Sequence, residues 1–181
     1  MRRLVYYVAS TLDGFIAHED GSFGGFAWDD ELVAEFRGSL DAFGAVLMGR
    51  KTYEVGLREG KTSPYPQMEQ YVFSRSMAAS PDEAVRLMSD DAVGRVSRLK
   101  REGGKDIWLC GGSGLAGTLL AASLIDEVRV KLNPVLFGSG IPVVPAAAGT
   151  VPLRLLDTRA FPSGILILRY EVGVRAPGEA T

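Results

Sequence analysis

The run Trp108-Leu109-Cys110-Gly111-Gly112-Ser113-Gly114-Leu115 carries the clearest chemical signal in this chain. An apolar strand ends on two glycines, and a serine then opens a helix-like segment. Glycine lets backbone N–H groups approach a bulky anion, and the positive end of the following helix points at the same place. Phosphate or pyrophosphate is the natural ligand of such a turn, although a Gly-Gly pair also serves many α/β proteins as a plain tight turn. Met48-Gly49-Arg50-Lys51-Thr52-Tyr53-Glu54 offers a second strand end and helix start, with two cations and a hydroxyl able to hold a phosphate. In Val72-Phe73-Ser74-Arg75-Ser76 a strand delivers an Arg between two hydroxyls at its carboxyl end, where open α/β sheets bind ligands. The loop Ser10-Thr11-Leu12-Asp13-Gly14-Phe15-Ile16-Ala17 combines a mobile glycine with apolar residues that could cover a flat ring. Each of the last three also has a plainer reading, as a solvated helix start, a polar turn or an Asp-Gly turn.

Candidate acids are Asp13 and the group Asp29, Asp30, Glu31, of which Asp29 or Asp30 also suits a helix N-cap. Phe23, Phe26 and Trp28 stand among glycines in one loop, and with Tyr7 and Met48 they could line or cover a ring-binding cleft; packing beneath the loop is the alternative. The single cysteine, Cys110, rules out an internal disulfide and fits a reducing cytoplasm. With no second cysteine and no nearby His to activate it, Cys110 reads as a packing residue. The lone His18 leaves no His/Cys cluster for zinc, so no metal site is expected.

These residues must be positioned by alternating strands and helices. Leu4 to Ser10 reads as a buried strand, followed by a Gly- and Asp-rich loop through Asp29. From Asp30 the spacing of Leu32, Val33, Phe36 and Leu40 predicts a helix. Ala45–Met48 is a short strand and Gly49-Arg50 opens a helix through Val55. Tyr71–Phe73 and Ala84–Met88 read as strands, Asp91–Glu102 as a helix, and Ile107–Cys110 as a strand before the helix that follows Ser113. Asp126 to Leu132 alternates with period two, and Leu153–Leu156 with Ile165–Val174 form a closing antiparallel pair. The pattern implies one α/β domain over residues 1–175 with a mainly parallel sheet and an antiparallel edge, and a frayed tail at 176–181. The chain has 181 residues, 46% hydrophobic and 23% charged, enough for one core. A formal net charge of −2 argues against a nucleic-acid binder, and no apolar run approaches the roughly 20 residues of a membrane span.

In their order and combination these motifs resemble the dihydrofolate-reductase-like superfamily. The branch they match is the reductase domain of the bifunctional riboflavin-biosynthesis deaminase/reductase, with its small stand-alone relatives. The likeness rests on Leu12–Ala17, Gly49–Glu54, Phe73–Ser76, Gly111–Ser113 and the run from Asp126-Glu127-Val128-Arg129 to Asn133-Pro134-Val135-Leu136-Phe137-Gly138-Ser139-Gly140, spanning Leu4 to Val174. It implies a three-layer fold, a mixed, mostly parallel sheet with helices on both faces, and NADPH as cofactor. By that resemblance Ala9, Ile16 and Ala17 would lie near the nicotinamide, and Gly49, Arg50, Lys51 and Thr52 would receive phosphates. Ser74, Arg75 and Ser76 would hold the adenosine ribose phosphate, and Cys110, Gly111, Gly112, Ser113, Gly114 and Leu115 the pyrophosphate. Two Arg-bearing sites favour NADPH over NADH.

On the substrate side, folate-reducing members carry a carboxylate early in the first long helix, where this chain has Leu32 or Val33, although a small register change could bring Asp29, Asp30 or Glu31 inward. That points away from true folate reduction and toward a small flat heterocycle of pteridine or pyrimidine type. Asp13, Trp28 and Asp30 are the residues set against it, and Trp28 matches a tryptophan of the riboflavin-type reductases. Hydride transfer needs chiefly two stacked rings and exclusion of water, so a protein acid is optional. The alternative is a non-catalytic NADPH- or ligand-binding protein on the same fold. The relatives are commonly homodimers, with Val128–Leu136 and Ile165–Leu168 as candidate interface segments.

Overall fold

A computed structural model describes residues 1–146 and 149–173. Helices and strands follow the order β1 (Leu4–Thr11), β2 (Phe15–Ala17), α1 (Asp30–Ser39), β3 (Phe43–Gly49), α2 (Arg50–Arg58), β4 (Glu69–Phe73), β5 (Val85–Met88), α3 (Ala92–Arg101), β6 (Asp106–Gly111), α4 (Ser113–Ala121), β7 (Glu127–Asn133), β8 (Ile141–Pro142), β9 (Leu153–Ala160) and β10 (Leu166–Val172). Eight of these strands form one sheet in the order β5-β4-β3-β6-β1-β7-β10-β9. From β5 to β7 every neighbouring pair is parallel, and β10 runs antiparallel to both β7 and β9.

Strand alternation builds two cores, one on each face. Leu4, Tyr6 and Val8 of β1, Ala45 and Leu47 of β3, and Ile107 and Leu109 of β6 point to the face covered by α3 and α4 through Val96, Leu99, Ala116 and Leu119. Their neighbours Val5, Tyr7, Val46, Met48 and Trp108 point to the other face, covered by Phe36 of α1 and by Tyr53 and Leu57 of α2. Strands apolar on both faces are what a parallel sheet clad in helices requires. Full burial of one such Val or Leu contributes about 1.5–3 kcal/mol relative to exposure. A third, smaller cluster joins Leu32 of α1 to Phe161, Ile165 and Ile167 beside the antiparallel edge.

Helix starts follow the predicted chemistry. Asp29 caps α1, its Oδ1 accepting from the Leu32 N–H at 2.7 Å, and Asp91 caps α3 through the Gly94 N–H at 2.9 Å. At the amino end of β7, Glu127 is fully buried among Arg3, Arg129 and Arg169, with N···O separations of 3.2, 3.0 and 2.9 Å.

Several expectations change. Tyr7 and Met48 are core residues, 3% and 1% exposed, because their strand positions face α1 and α2; they do not line an open cleft. The loop after β1 contains β2, paired with β8 through Phe15↔Pro142 and Ala17↔Ile141. Of the segments named for a subunit interface, β7 and β10 are interior strands, and Val128, Ile165 and Ile167 are buried in the cores, while Leu136 beyond β7 is exposed. The last strand pair is longer than expected on its first member, since β9 reaches Ala160. The predicted frayed tail, with Val174 and Arg175, lies outside the described residues.

Candidate functional site

The carboxyl ends of β3 and β6 lie side by side, and the helices that follow leave to opposite faces, α2 to one and α4 to the other. Such a switch point opens a crevice between two loops, the place where α/β sheets take ligands. Here the approach is close. A Cβ built on Gly49 would lie 3.3 Å from the Gly112 nitrogen, and one on Gly111 would lie 3.4 Å from Thr52 Oγ1. Gly111 has φ +141°, a backbone conformation that favours glycine, and the Gly111–Gly112 peptide is cis. Gly49 and Gly112 are the N-cap residues of α2 and α4, and neither helix start carries a side-chain cap, in contrast to α1 and α3. The amides of Arg50, Lys51 and Thr52 and of Ser113, Gly114 and Leu115 open α2 and α4. The first-turn N–H groups of a helix lack intrahelical partners and favour an anion.

Beside this crevice a cleft of about 370 Å³ is lined by residues including Gly49, Ser74, Arg75, Asp90, Gly114 and Leu115. Arg75 is exposed at its rim and makes no ion pair among the described residues. Ser74 is buried, and its hydroxyl accepts from the Ser76 and Met77 N–H groups, so it shapes the turn that presents Arg75. Ser76 is exposed on the same turn. Arg50 turns along its own helix to Glu54 at 2.5 Å, which leaves Lys51 and Thr52 as the side chains nearest in sequence to the α2 start that keep no such partner. Burial pushes the Cys110 thiol up to about 12, with Tyr65 as its neighbour, so it stays protonated and packs.

The residues expected near the nicotinamide and near the substrate separate into different roles. Ala9 is half-buried near the end of β1, whereas Ile16 packs on the α3–α4 core and Ala17 is buried in the β2–β8 ribbon. Asp13 is a latch. Its carboxylate accepts from Thr11 Oγ1 at 2.5 Å, from the Phe137 N–H at 3.1 Å and from the Gly138 N–H at 2.7 Å, which ties the β1–β2 loop to the loop after β7. Phe26 and His18 both stack on Phe137, at 5.3 and 3.7 Å between ring centroids, so the aromatic loop is pinned to the same place. Asp30 is exposed in the first turn of α1, beside the helix-capping Asp29. Trp28 is 64% exposed, and its ring lies over the Lys131 ammonium, 3.7 Å from Nζ.

Lys131 did not figure among the expected site residues. In the alternating run Val128 to Asn133 it reads as part of a polar, solvated face. Yet β7 is flanked by β1 and β10 and covered on that face, so Lys131 is 5% exposed. A lysine inside a strand that is itself central to a sheet is the signal that could have found it.

A mixed, mostly parallel sheet clad on both faces, with a glycine-lined switch point, defines an α/β protein of the dihydrofolate-reductase-like fold. Within it the chain belongs to the RibD C-terminal domain family, whose model matches residues 2–167. The uncharacterized protein YwjB of Bacillus subtilis (strain 168) is 36% identical over 164 residues, covering 88% of this chain and 92% of that protein. A crystal structure of a Shewanella sp. PV-4 protein named for riboflavin biosynthesis superposes with a TM-score of 0.81 at 21% identity, over 95% of this chain and 99% of that one. Dihydrofolate reductase from Enterococcus faecalis, complexed with NADP(H) and RAB-propyl, gives 0.65 at 19% identity, over 94% of both chains. Among the described residues no helix is long and apolar enough to cross a membrane.

Proposed function

We propose that this protein is an NADPH-dependent reductase that transfers hydride to a small flat heterocycle, of the riboflavin type and not a true folate reductase. The observation that carries this reading is the convergence of two uncapped helix starts at Gly49 and Gly111–Gly112, where a Cβ would fill the space. That cradle fits a pyrophosphate, received by the amides of Arg50 to Thr52 and of Ser113 to Leu115. Arg75, free at the rim of the adjoining cleft, fits the 2′-phosphate that distinguishes NADPH from NADH. When bound, the nicotinamide supplies hydride. The chain's own part is to hold the ring near Ala9, to keep water out with the loops pinned around Phe137, and to seat the acceptor ring on the α1 face. An apolar Leu32, 1% exposed and packed with Phe161 and Ile167, stands where folate reducers need a carboxylate and supports the non-folate branch.

The test is titration of the purified protein with NADPH and NADH, followed by tryptophan fluorescence. NADPH is expected to bind the more tightly. Arg75→Ala is expected to weaken NADPH by about ten-fold, the lower end for a charge-assisted bond because Arg75 is exposed, and to leave NADH unchanged. Equal losses for both cofactors place Arg75 elsewhere, and no binding of either rejects the reductase reading. We also propose a homodimer, formed through the free edge of β9. Every residue of this strand is exposed, including Leu153, Leu155 and Leu156 at 45%, 53% and 39%. An unpaired sheet edge that exposes three leucines invites pairing. Light scattering is expected to give twice the chain mass, and Leu155→Lys to give monomer; a wild-type monomer refutes the interface.

A further inference from the structure

Lys131 is a buried cation that the protein does not satisfy. An ammonium can donate three hydrogen bonds. Its Nζ has one long contact, to the Ala27 carbonyl at 3.4 Å, and no carboxylate within ion-pair distance among the described residues. The remaining neighbour is the face of Trp28. By contrast Lys100, equally buried, meets both Asp126 and the Leu124 carbonyl at 2.6 Å. Burial lowers the Lys131 pKa to about 8, with the nearby Asp29 charge opposing the shift; the group remains largely protonated at neutral pH.

Two further unanswered atoms adjoin it in the fold. Of the three buried side-chain polar atoms without a hydrogen-bond partner among the described residues, one is Asp29 Oδ2, on the residue after Trp28, and another is Asn133 Oδ1, two positions along β7 on the same face as Lys131. Ser163, beside Asp29, and then the Leu32 N–H hold that carboxyl below the usual range, while its Oδ2 keeps no bond of normal geometry. Asn133 spends its amide donors on the Ser10 and Lys131 carbonyls, which fixes the orientation of Oδ1.

The location matches the proposed chemistry. Lys131 pairs with Ala9 of β1, and continuing the β1–β6 register sets Ala9 level with the Gly-Gly turn. Two strand spacings, about 10 Å, then separate the β7 backbone at Lys131 from that turn. A buried ammonium with donors left over is costly, and a ligand that answers them binds tightly and selectively.

We propose that Lys131 is the specificity-determining residue of the acceptor-ring subsite, selecting a flat heterocycle that presents carbonyl oxygens to its ammonium over one that presents amino groups. This rests on the reductase reading for the identity of the subsite. Trp28 lays an aromatic face against the same cation and is 64% exposed, so a bound acceptor ring would take the place that Trp28 holds.

Two pteridines of equal shape and opposite polarity test this. Lumazine carries two ring carbonyls, and its diamino counterpart carries two amino groups. Their dissociation constants are measured by calorimetry with and without NADPH, on the full chain. Wild type is expected to prefer lumazine by about ten-fold or more. Lys131→Met, close in volume, is expected to bring the two within about three-fold, while Lys131→Arg retains the preference and NADPH affinity stays unchanged in both. A wild-type preference for the diamino compound, an undiminished preference in Lys131→Met, or binding of neither pteridine at millimolar concentration overturns the proposal. The wild-type comparison decides even where a variant folds poorly. A lumazine preference that depends on Lys131 in a protein that binds no NADPH upholds this inference while rejecting the reductase.

Discussion

Replacing Glu127 by Gln tests whether charge, and not shape, holds the amino end of the sheet. The carboxylate is fully buried and receives Arg129 and Arg169 by hydrogen bonds and Arg3 at 3.2 Å. The amide keeps the volume and removes the one carboxylate that ion-pairs with all three guanidiniums among the described residues. Breaking a buried pair from one side costs about 3–5 kcal/mol. Arg3 and Arg169 are 44% and 36% exposed and partly solvated, so the lower end, about 3 kcal/mol, applies. For a chain of this size that is a fall in Tm of about 6–12 °C at pH 7.

The pH dependence gives a second reading of the same cluster. Burial alone pushes the Glu127 carboxyl up, but hydrogen bonds and charge from Arg169 and Arg129 pull it further down, to below its ordinary 4.5. A native pKa below the unfolded one contributes stability that is complete above the unfolded value and is lost as pH falls through the native value. Melting curves of wild type and Glu127→Gln, followed by circular dichroism, should therefore diverge at neutral pH and approach one another below pH 4.5. A drop under about 2 °C at pH 7, where about 6 °C or more is expected, refutes the reasoning and makes the cluster a solvated face.

Two further outcomes are expected. In Gly49→Ala the new methyl stands 3.3 Å from the Gly112 nitrogen and narrows the crevice; NADPH affinity should fall by about ten-fold with a stability cost of about 1–2 kcal/mol, read by fluorescence titration and thermal melting. Unchanged affinity would show the turn to be purely structural. Because burial holds the Cys110 thiol near 12, native protein at pH 8 should consume no aromatic disulfide reagent, whereas unfolded protein should consume one equivalent per chain; rapid native labelling would place the sulfur in the open crevice.

The central strands were legible because each serves two cores. Leu4 to Val8, Ala45 to Met48 and Ile107 to Cys110 are apolar at consecutive positions, and length with flanking glycines marked them as buried strands. The start of α4 was legible from Gly111-Gly112-Ser113. Other elements were beyond local reading. The ribbon of β2 and β8 has three and two residues, too few for a period, and its register depends on partners more than 120 positions apart. Leu156 is followed by Asp157, Thr158 and Arg159 at the exposed edge, so β9 shows no alternation to extend it past the apolar residues. On the site, the phosphate-type turns were visible because glycine and a following helix act locally. Lys131 was not, since its burial arises where the segment with Ala27 and Trp28 meets β7, which is a property of the tertiary arrangement. Asp13 was visible as a chemical group, but its acceptor capacity is spent on the Phe137 and Gly138 amides, a partnership that only the fold creates.

That partnership makes Phe137 the rivet of three separate stretches of chain: the β1–β2 turn through Asp13, the aromatic loop through Phe26 and His18, and its own loop after β7. The three form one cassette. Exchanging any one of them for the corresponding stretch of a relative breaks the rivet and loosens the other two, whatever the merit of the new sequence. A chimera meant to transplant ring preference into this scaffold must import Asp13, His18, Phe26 and Phe137 together.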